Sequence, residues 1–598
     1  MTSRPEGKGP PQEVAAIRWQ PWDAPAFALA QHENRPILLS IGAVWCYWCQ
    51  VMDEHTYTDP DVAAYVNKHF VPVRVDNDHR PDINARYNVG GWPSTVFLTG
   101  HGGYIAGATY LPPDQLLAML MEVQRAYAEQ KVALYDQGSS LLRKRQEEAA
   151  RISAGAEVDV RLVDLIGRRA VGTYDARFGG FGEEPKFPGV PILQLMLHLF
   201  RTTGEEFYRI ILEKTLDNMV QGRIYDREEG GFFRYSLRAD WSEAQHGKML
   251  EDNIGLARIF LEASLLLDNE DYRHVASRTV DYLLGRLYDG KAAGFRGSQG
   301  AHSDYFGLTP ELRQQQPTPA PDPYCYTHWS AQAVSLLLEA SWRLQRPDLD
   351  QPAFQVLNAL DSMEQSGRLP HVYNSKGPVR HSGGALLTDQ AHLLNALMDC
   401  HNYRSDDDKY LGRAKKVAGG MIERFFDGAN GGFFDIESDA EPLGYLKVRE
   451  KPLPENVAAV QGLLKLHHAT GDDAYREVVH RTLSAFVEAN SAYGEFAAGY
   501  AVAVDQFLNR SVEITVEGHP QSDETQAMLR AAAKVPYPHL VIKTVATDIG
   551  LPVQAHICLD TVCLPPISDP SELSKAVEEV VSPQESPFEN VFKSFAGF

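Results

Sequence analysis

Apolar and polar positions change texture twice along the chain. At the start, an unbroken apolar run, Ile-Leu-Leu-Ser-Ile, ends at Gly42, which suits a strand buried on both faces. Asp59-Pro60 opens a helix, because Asp caps well and Pro favours the first helical position. Val62, Tyr65, Val66 and Phe70 give that helix one apolar face. A second strand is predicted over 70–75, ending at Asp76, then a short helix Pro81–Tyr87 and a strand over 94–99. A turn at 100–103 leads to the strand Tyr104–Ala108 and to one long helix over 114–150. Ahead of these, 19–32 carry a helical pattern, and 1–15 read as a flexible tail.

After a short linker, Ser153-Ala-Gly-Ala156, the texture becomes helical from 158 to 508. Amphipathic stretches recur at 192–200, 254–267, 331–344, 386–398 and 457–468. Between helices a small pattern repeats: Tyr174-Asp175…Gly179-Gly180-Phe181, Tyr225-Asp226…Gly230-Gly231-Phe232, Tyr288-Asp289…Gly294-Phe295 and Phe426-Asp427…Gly431-Gly432-Phe433. The Asp caps a turn and the glycines accept positive φ, so most copies read as reused loop chemistry. Repeated hairpins bury their faces on their neighbours. A closed (α/α)6 toroid over 157–510, of the six-hairpin glycosidase-like kind, is the expected solution, with an open solenoid as the alternative. Beyond Arg510 the texture changes again. Strands over 512–516, 539–545 and 553–559 and helices over 523–533 and 572–580 predict a small α/β unit spanning 511–598.

The chain has 598 residues and a net charge of -22. That acidic balance argues against non-specific nucleic-acid binding, which needs clustered Lys and Arg. The polar, Pro/Gly-rich start does not read as a signal peptide. No run of about 18 apolar residues predicts a membrane span. Six cysteines in such a length do not form a disulfide scaffold, so a cytoplasmic protein with reactive rather than structural cysteines is expected.

Cys46 and Cys49 follow the first strand directly, at the turn into a helix, separated by two residues. In a βαβ context this C-x-x-C reads as a thioredoxin-like redox pair. A thiol at a helix start faces unpaired N–H groups that stabilise its thiolate, so Cys46 would attack and Cys49 would resolve. The element order over 16–152 is the thioredoxin order. Pro93, in Gly90-Gly-Trp-Pro93, stands just before the third core strand, where that fold places a cis proline beside the cysteines. The Trp92 backbone would pair there with an extended substrate. Cys325 and Cys400 read as core residues. A zinc site combining Cys46 and Cys49 with Cys558 and Cys563 is disfavoured by spacing, and a local Cys558–Cys563 disulfide by a reducing compartment. No cofactor and no metal is expected.

The chain resembles the thioredoxin-domain proteins that include the spermatogenesis-associated thioredoxin-like proteins. The matching segments include Pro36-Ile-Leu-Leu-Ser-Ile-Gly42, Trp48-Cys49-Gln-Val-Met52, Val73-Arg-Val-Asp76, Arg80-Pro-Asp-Ile83, Gly90-Gly-Trp-Pro93, Lys186-Phe-Pro188 and Lys248-Met-Leu250 with Asp252-Asn253. The resemblance implies a thioredoxin-like domain fused to a six-hairpin toroid. It also marks departures: Tyr47 replaces the family's usual His, Ala244-Gln-His-Gly247 replaces Pro-His-Phe-Glu, and Thr327-His-Trp-Ser-Ala331 replaces an Asp/Ser-Trp-Asn-Gly helix start.

Three functions follow as expectations. The first is thiol–disulfide exchange at Cys46 and Cys49 with a protein or small thiol/disulfide substrate. The second is carbohydrate hydrolysis or epimerisation in the toroid, whose relatives put carboxylates, histidines and rings in the funnel. Funnel candidates are Asp175, Asp226, Trp241, His246, Asp252, His328, Trp329, Asp389 and Glu455, with Glu183, Glu251, His371, His381 and His392 beside them. The third is a non-enzymatic scaffold with a vestigial redox fold. No membrane or nucleic-acid partner is expected.

Overall fold

The computed structural model describes residues 16–379, 383–404, 407–438, 441–520, 522–548, 550–559 and 562–581, so the expected tail and His381 lie outside the described residues. The N-terminal sheet runs β2 (Val71–Asp76), β1 (Ile37–Gly42), β3 (Ser94–Leu98), β4 (Tyr104–Ala108). β1 pairs in parallel with β2 and antiparallel with β3, and β3 pairs antiparallel with β4. Every residue of β3 is buried, as is nearly all of β1.

Two local expectations are corrected. The first helix is confined to Ala24–His32, because Asp23 accepts the Ala26 N–H and starts it there. Upstream, Gln20 is extended and exchanges hydrogen bonds with β2. The long helix breaks at Gln130 into Pro113–Glu129 and Lys131–Ala150. The break lets the second helix lie against β4 at a glycine contact: a Cβ on Gly138 would stand 2.9 Å from the Gly103 Cα.

The middle of the chain is a closed ring. Six helices, Val190–Thr203, Leu250–Leu266, Thr327–Arg343, Leu387–Tyr403, Leu453–Thr470 and Ala497–Leu508, each touch the next, and the last touches the first. Each also packs an outer partner, and the ring closes when Ala497–Leu508 meets Arg161–Gly172, the first helix of the region. The five apolar stretches of the sequence all fall on these inner helices, which are apolar on most sides because both neighbours and an outer helix cover them.

The repeated aromatic–Asp turns fasten this ring. In three copies a buried or half-buried Lys, placed just before the next inner helix, joins the turn's Asp to the carbonyl of its first Gly: Lys186 with Asp175 (2.5 Å), Lys248 with Asp226 (2.7 Å) and Lys451 with Asp427 (2.9 Å). In the fourth, Arg296 takes Asp289 at 2.8 Å. The helix that follows completes the lock. Asn253 and Asn456 each accept the Phe N–H of a turn and donate to its carbonyl, while Ser330 accepts the Phe295 N–H at 3.0 Å and the Tyr373 hydroxyl at 2.9 Å. Only glycine fits the turn: at Gly230, with φ +77, a Cβ would lie 2.5 Å from the Arg278 carbonyl oxygen.

Burial alone would raise the Asp427 carboxyl, but Lys451 and the Asn430 N–H hold it at about 2. A folded value below the unfolded one, about 3.9, means stability present above that value and lost as pH falls toward about 2. The destabilisation caused by Asp427→Asn, followed by thermal unfolding, is therefore largest above pH ~5 and shrinks toward pH ~2. A pH-independent penalty would show that the ion pair is not what the Asp supplies.

The C-terminal unit has its own core and a sheet ordered Leu540–Ala546, Val512–Gly518, Gln554–Leu559, Val562–Cys563. Its first two strands in sequence pair in parallel, and the first and third, then third and fourth, antiparallel. Strand order and senses are those of the N-terminal sheet, but the position after the first strand holds no thiol. Cys558 and Cys563 are directly opposed in the final hairpin and form a disulfide. This corrects the expectation against that bond: hairpin register puts the two sulfurs together, and neither remains for a four-cysteine zinc site.

Candidate functional site

β1 ends at Gly42, the chain turns through Ala43-Val44-Trp45, and Cys46 caps the helix Tyr47–Val51, which continues as a wider turn over Met52–Thr56. The Cys46 sulfur accepts the Cys49 N–H at 3.2 Å. Hydrogen bonding from Cys49 outweighs burial and holds the Cys46 thiol below the ordinary range, with a smaller contribution from the Arg234 charge. The same interaction, together with burial, raises Cys49. One sulfur is thus prepared as thiolate while the other keeps its proton. Tyr47 and Trp48, between them, point outward and are about half exposed.

The inner face of the pair meets the toroid. Met249, one residue before an inner helix, packs with Ala43, Trp45, Cys46 and Cys49, against which Trp92 also lies. The Trp92–Pro93 peptide bond is cis. Trp45 donates its indole N–H to Asp78 at 2.8 Å and meets Trp92 edge to face, while Arg234 of the toroid lies 4.1 Å above its ring. The two modules are joined firmly elsewhere as well. Arg86, whose side chain is fully buried, binds the Asp435 carboxylate and the Val448 carbonyl, and the Tyr87 hydroxyl accepts the Tyr445 N–H at 2.7 Å. Leu386, Ile436, Tyr445 and Leu446 extend the N-terminal core into the ring.

A polar network crosses this junction. His371 shares Nδ1 with both Asp389 oxygens at 3.0 Å and places Nε2 3.0 Å from the Asp78 carbonyl. Burial would lower His371, but Asp389 raises it above the ordinary imidazole range, so the two form an ion pair. His328 stacks on His371 at 5.0 Å and is lowered to about 4 by burial; His392 is lowered to about 3 for the same reason. Asp76, Asp78 and Asp322 are each pushed up to about 7, chiefly by burial. His328, His371 and Asp389 offer three ligand atoms within 4.8 Å of one another. A cation held there would take the place of the His371–Asp389 hydrogen bonds.

The start of the inner helices also carries acids. Burial, with Glu251 and Glu495 nearby, pushes Asp252 up to about 7, and Glu455 reaches about 7 chiefly through burial. Glu251 and Glu495 are raised in the same sense by the protein crowded around them, although both keep exposed surface. Five sequence candidates therefore lie at inner-helix starts: Asp252, His328, Trp329, Asp389 and Glu455. The other four lie elsewhere. Asp175 and Asp226 are held by Lys186 and Lys248 in the turns, and Trp241 is fully buried with its indole N–H on the Phe178 carbonyl. His246 sits between Phe233 and Phe306, and Glu183 is exposed. Sequence reading missed Arg234, Glu495, Asp78 and Asp322. Asp76 ends the second strand as expected, but nothing local to any of these residues shows which groups the fold sets beside them.

Residues 12–146 match the family model described as "Thioredox_DsbH: Protein of unknown function, DUF255". An uncharacterized protein of Caenorhabditis elegans is 30% identical over 307 residues, covering 48% of this chain and 42% of that one. Spermatogenesis-associated protein 20 of Homo sapiens is 25% identical over 94% of this chain and 89% of its own length. Disulfide bond reductase DsbH of Chlamydia pneumoniae is 26% identical over 114 residues, 17% of this chain and 68% of that protein. Among solved structures, D-mannose isomerase covers 54% of this chain and 84% of its own, at 13% identity and a TM-score of 0.43. The chain thus resembles the spermatogenesis-associated proteins along nearly its full length and a thioredoxin-like family at its start. Among the described residues no helix is long and apolar enough to cross a membrane.

Proposed function

We propose that the protein carries out thiol–disulfide exchange through Cys46 and Cys49, on a substrate met at the junction with the toroid. One observation carries this reading: the Cys49 N–H is aimed at the Cys46 sulfur, and the two thiols are driven in opposite directions. Thiolate at Cys46 attacks a substrate sulfur, and Cys49 then passes its proton to the departing thiolate as its sulfur resolves the mixed disulfide. The similarity to a protein named as a disulfide bond reductase supports it.

The pH profile of alkylation tests the reading. Reduced protein treated with iodoacetamide should modify Cys46 with a midpoint below that of the same thiol in urea. In Cys49→Ala that midpoint should rise, because the hydrogen bond from the Cys49 side chain is the largest cause of the depression. A wild-type midpoint at or above the unfolded value would refute it.

A second reading has its own observation. Asp252 and Glu455 sit near 7, where a carboxyl can act as a general acid toward a glycosidic oxygen or, when ionised, as a general base toward a sugar C–H. Binding of a glycan on an array, lost in Asp252→Asn and Glu455→Gln, would support it. No binding to any glycan would remove it.

A further inference from the structure

We propose that the disulfides handled by Cys46 and Cys49 are small molecules bearing a carboxylate, and that Arg234 of the toroid binds that carboxylate beside the Cys46 sulfur. This rests on the thiol–disulfide reading above and names its substrate class.

The first observation is the roof over the pair. Cys46 and Cys49 are only 6% and 7% exposed, and Met249 packs on both from the toroid side. Trp92, whose backbone an extended chain would need, lies against the same cluster. That cover favours a short flexible disulfide over one held inside a folded protein, which needs a wider approach to Cys46.

The second observation is Arg234. Its guanidinium lies 4.1 Å above Trp45, 5.7 Å from Trp92 and 5.9 Å from Tyr235. Its backbone N–H is fixed by the Gly247 carbonyl at 2.8 Å. The Arg234 guanidinium carbon lies over the Trp45 ring, and its N–H groups remain available to a planar, two-oxygen partner. Among the described residues no Asp or Glu oxygen lies within 4.0 Å of it, although most other buried or half-buried arginines at this junction are paired with acids. Asp252 is the acid that senses its charge, from beyond ion-pair distance, and that carboxyl is itself about half protonated near neutral pH. A cation over Trp45 whose charge reaches the Cys46 thiolate, with its donors unspent, fits an anionic group carried by the molecule that the thiolate attacks.

The step balances within the pair and its substrate. The Cys46 thiolate bonds one sulfur of R–S–S–R and expels R–S⁻. The Cys49 thiol then gives up its proton as its sulfur bonds Cys46, and the second R–S leaves and takes that proton as R–SH. The protein loses two electrons as its disulfide forms, and the substrate disulfide gains them. A dithiol reductant such as dithiothreitol restores the protein between turnovers.

The test uses reduced full-length protein in single turnover against dithiodiglycolate (anionic), bis(2-hydroxyethyl) disulfide (neutral), cystamine (cationic) and insulin. The rate ratio of anionic to neutral probe should be roughly 10 or more, the scale of a charge-assisted bidentate contact. It should fall to about one in Arg234→Gln, whose rate with the neutral probe should change far less. Insulin should react at least roughly 10-fold more slowly than the anionic probe. A ratio that is the same in wild type and Arg234→Gln, or that favours cystamine, overturns the Arg234 assignment. Insulin reduced as fast as the small probes overturns the size argument. Failure to react with any of the four overturns the thiol–disulfide reading itself. If Arg234→Gln does not fold, Arg234→Lys and the wild-type ratio decide: the ratio should decline as salt rises, and an unchanged ratio counts against the proposal.

Discussion

Replacing Cys46 by serine should abolish disulfide reduction, with a loss on the order of 10³-fold or more, because a hydroxyl at that position is not ionised near neutral pH and supplies no nucleophile. Cys49→Ser should behave differently. The first attack survives, resolution does not, and a mixed disulfide accumulates on Cys46 that mass spectrometry detects and reductant removes. The asymmetry follows from the geometry: Cys46 receives the Cys49 N–H and is held low, whereas Cys49 is raised and protonated. Equal trapping by the two serine variants would mean that either thiol can attack. Full activity in Cys46→Ser would mean that the chemistry lies elsewhere.

The second large effect is expected at Arg86. Its guanidinium is fully buried between the modules, where it binds Asp435, the Val448 carbonyl and the Asp82 carbonyl. Arg86→Met removes one partner of a buried pair and leaves the Asp435 carboxylate with only the Glu450 N–H among these contacts. The cost should be roughly 3–5 kcal/mol. Arg86→Lys should recover little, since one ammonium cannot reproduce the fork. The double variant Arg86→Met/Asp435→Leu should recover much of the loss, because no uncompensated charge remains. Thermal unfolding reads the stability. Alkylation of Cys46 reads the docking, since loosening the modules lifts Met249 from the thiols and should speed the reaction. If Arg86→Met unfolds at the wild-type temperature with the same alkylation rate, the junction is not held by this pair.

The fold was legible to a high degree, and particular residues show why. The run ending at Gly42, the Asp59-Pro60 helix start and the strand after Pro93 are local signals, each set by burial pattern or capping within a few residues. The inner helices declared themselves because a helix covered on several sides needs apolar residues on several faces. The break at Gln130 was not legible: the residues around it are good helix formers, and what interrupts them is the fit of Gly138 on Gly103, a contact with a distant part of the chain. The Cys558–Cys563 bond is not legible either: a reducing compartment argues against it, and the hairpin register that sets the two sulfurs together decides for it.

The candidate site divides along the same line. By itself the sequence determined the C-x-x-C, its place after the first strand, the proline before the third, and the repeated Asp–Gly–Gly–Phe turns, because each depends on neighbours a few residues away. It could not separate Asp175 and Asp226, spent on lysines in turns, from Asp252 and Glu455, raised at inner-helix starts. An acid's role there depends on which charge the fold sets beside it. Only the tertiary structure brought Met249 against Cys46 and Arg234 over Trp45 across roughly two hundred residues of chain, and Asp78 to His371 across nearly three hundred. Such pairings follow from how the ring closes and where the N-terminal sheet docks on it, and no local pattern of residues encodes that distance.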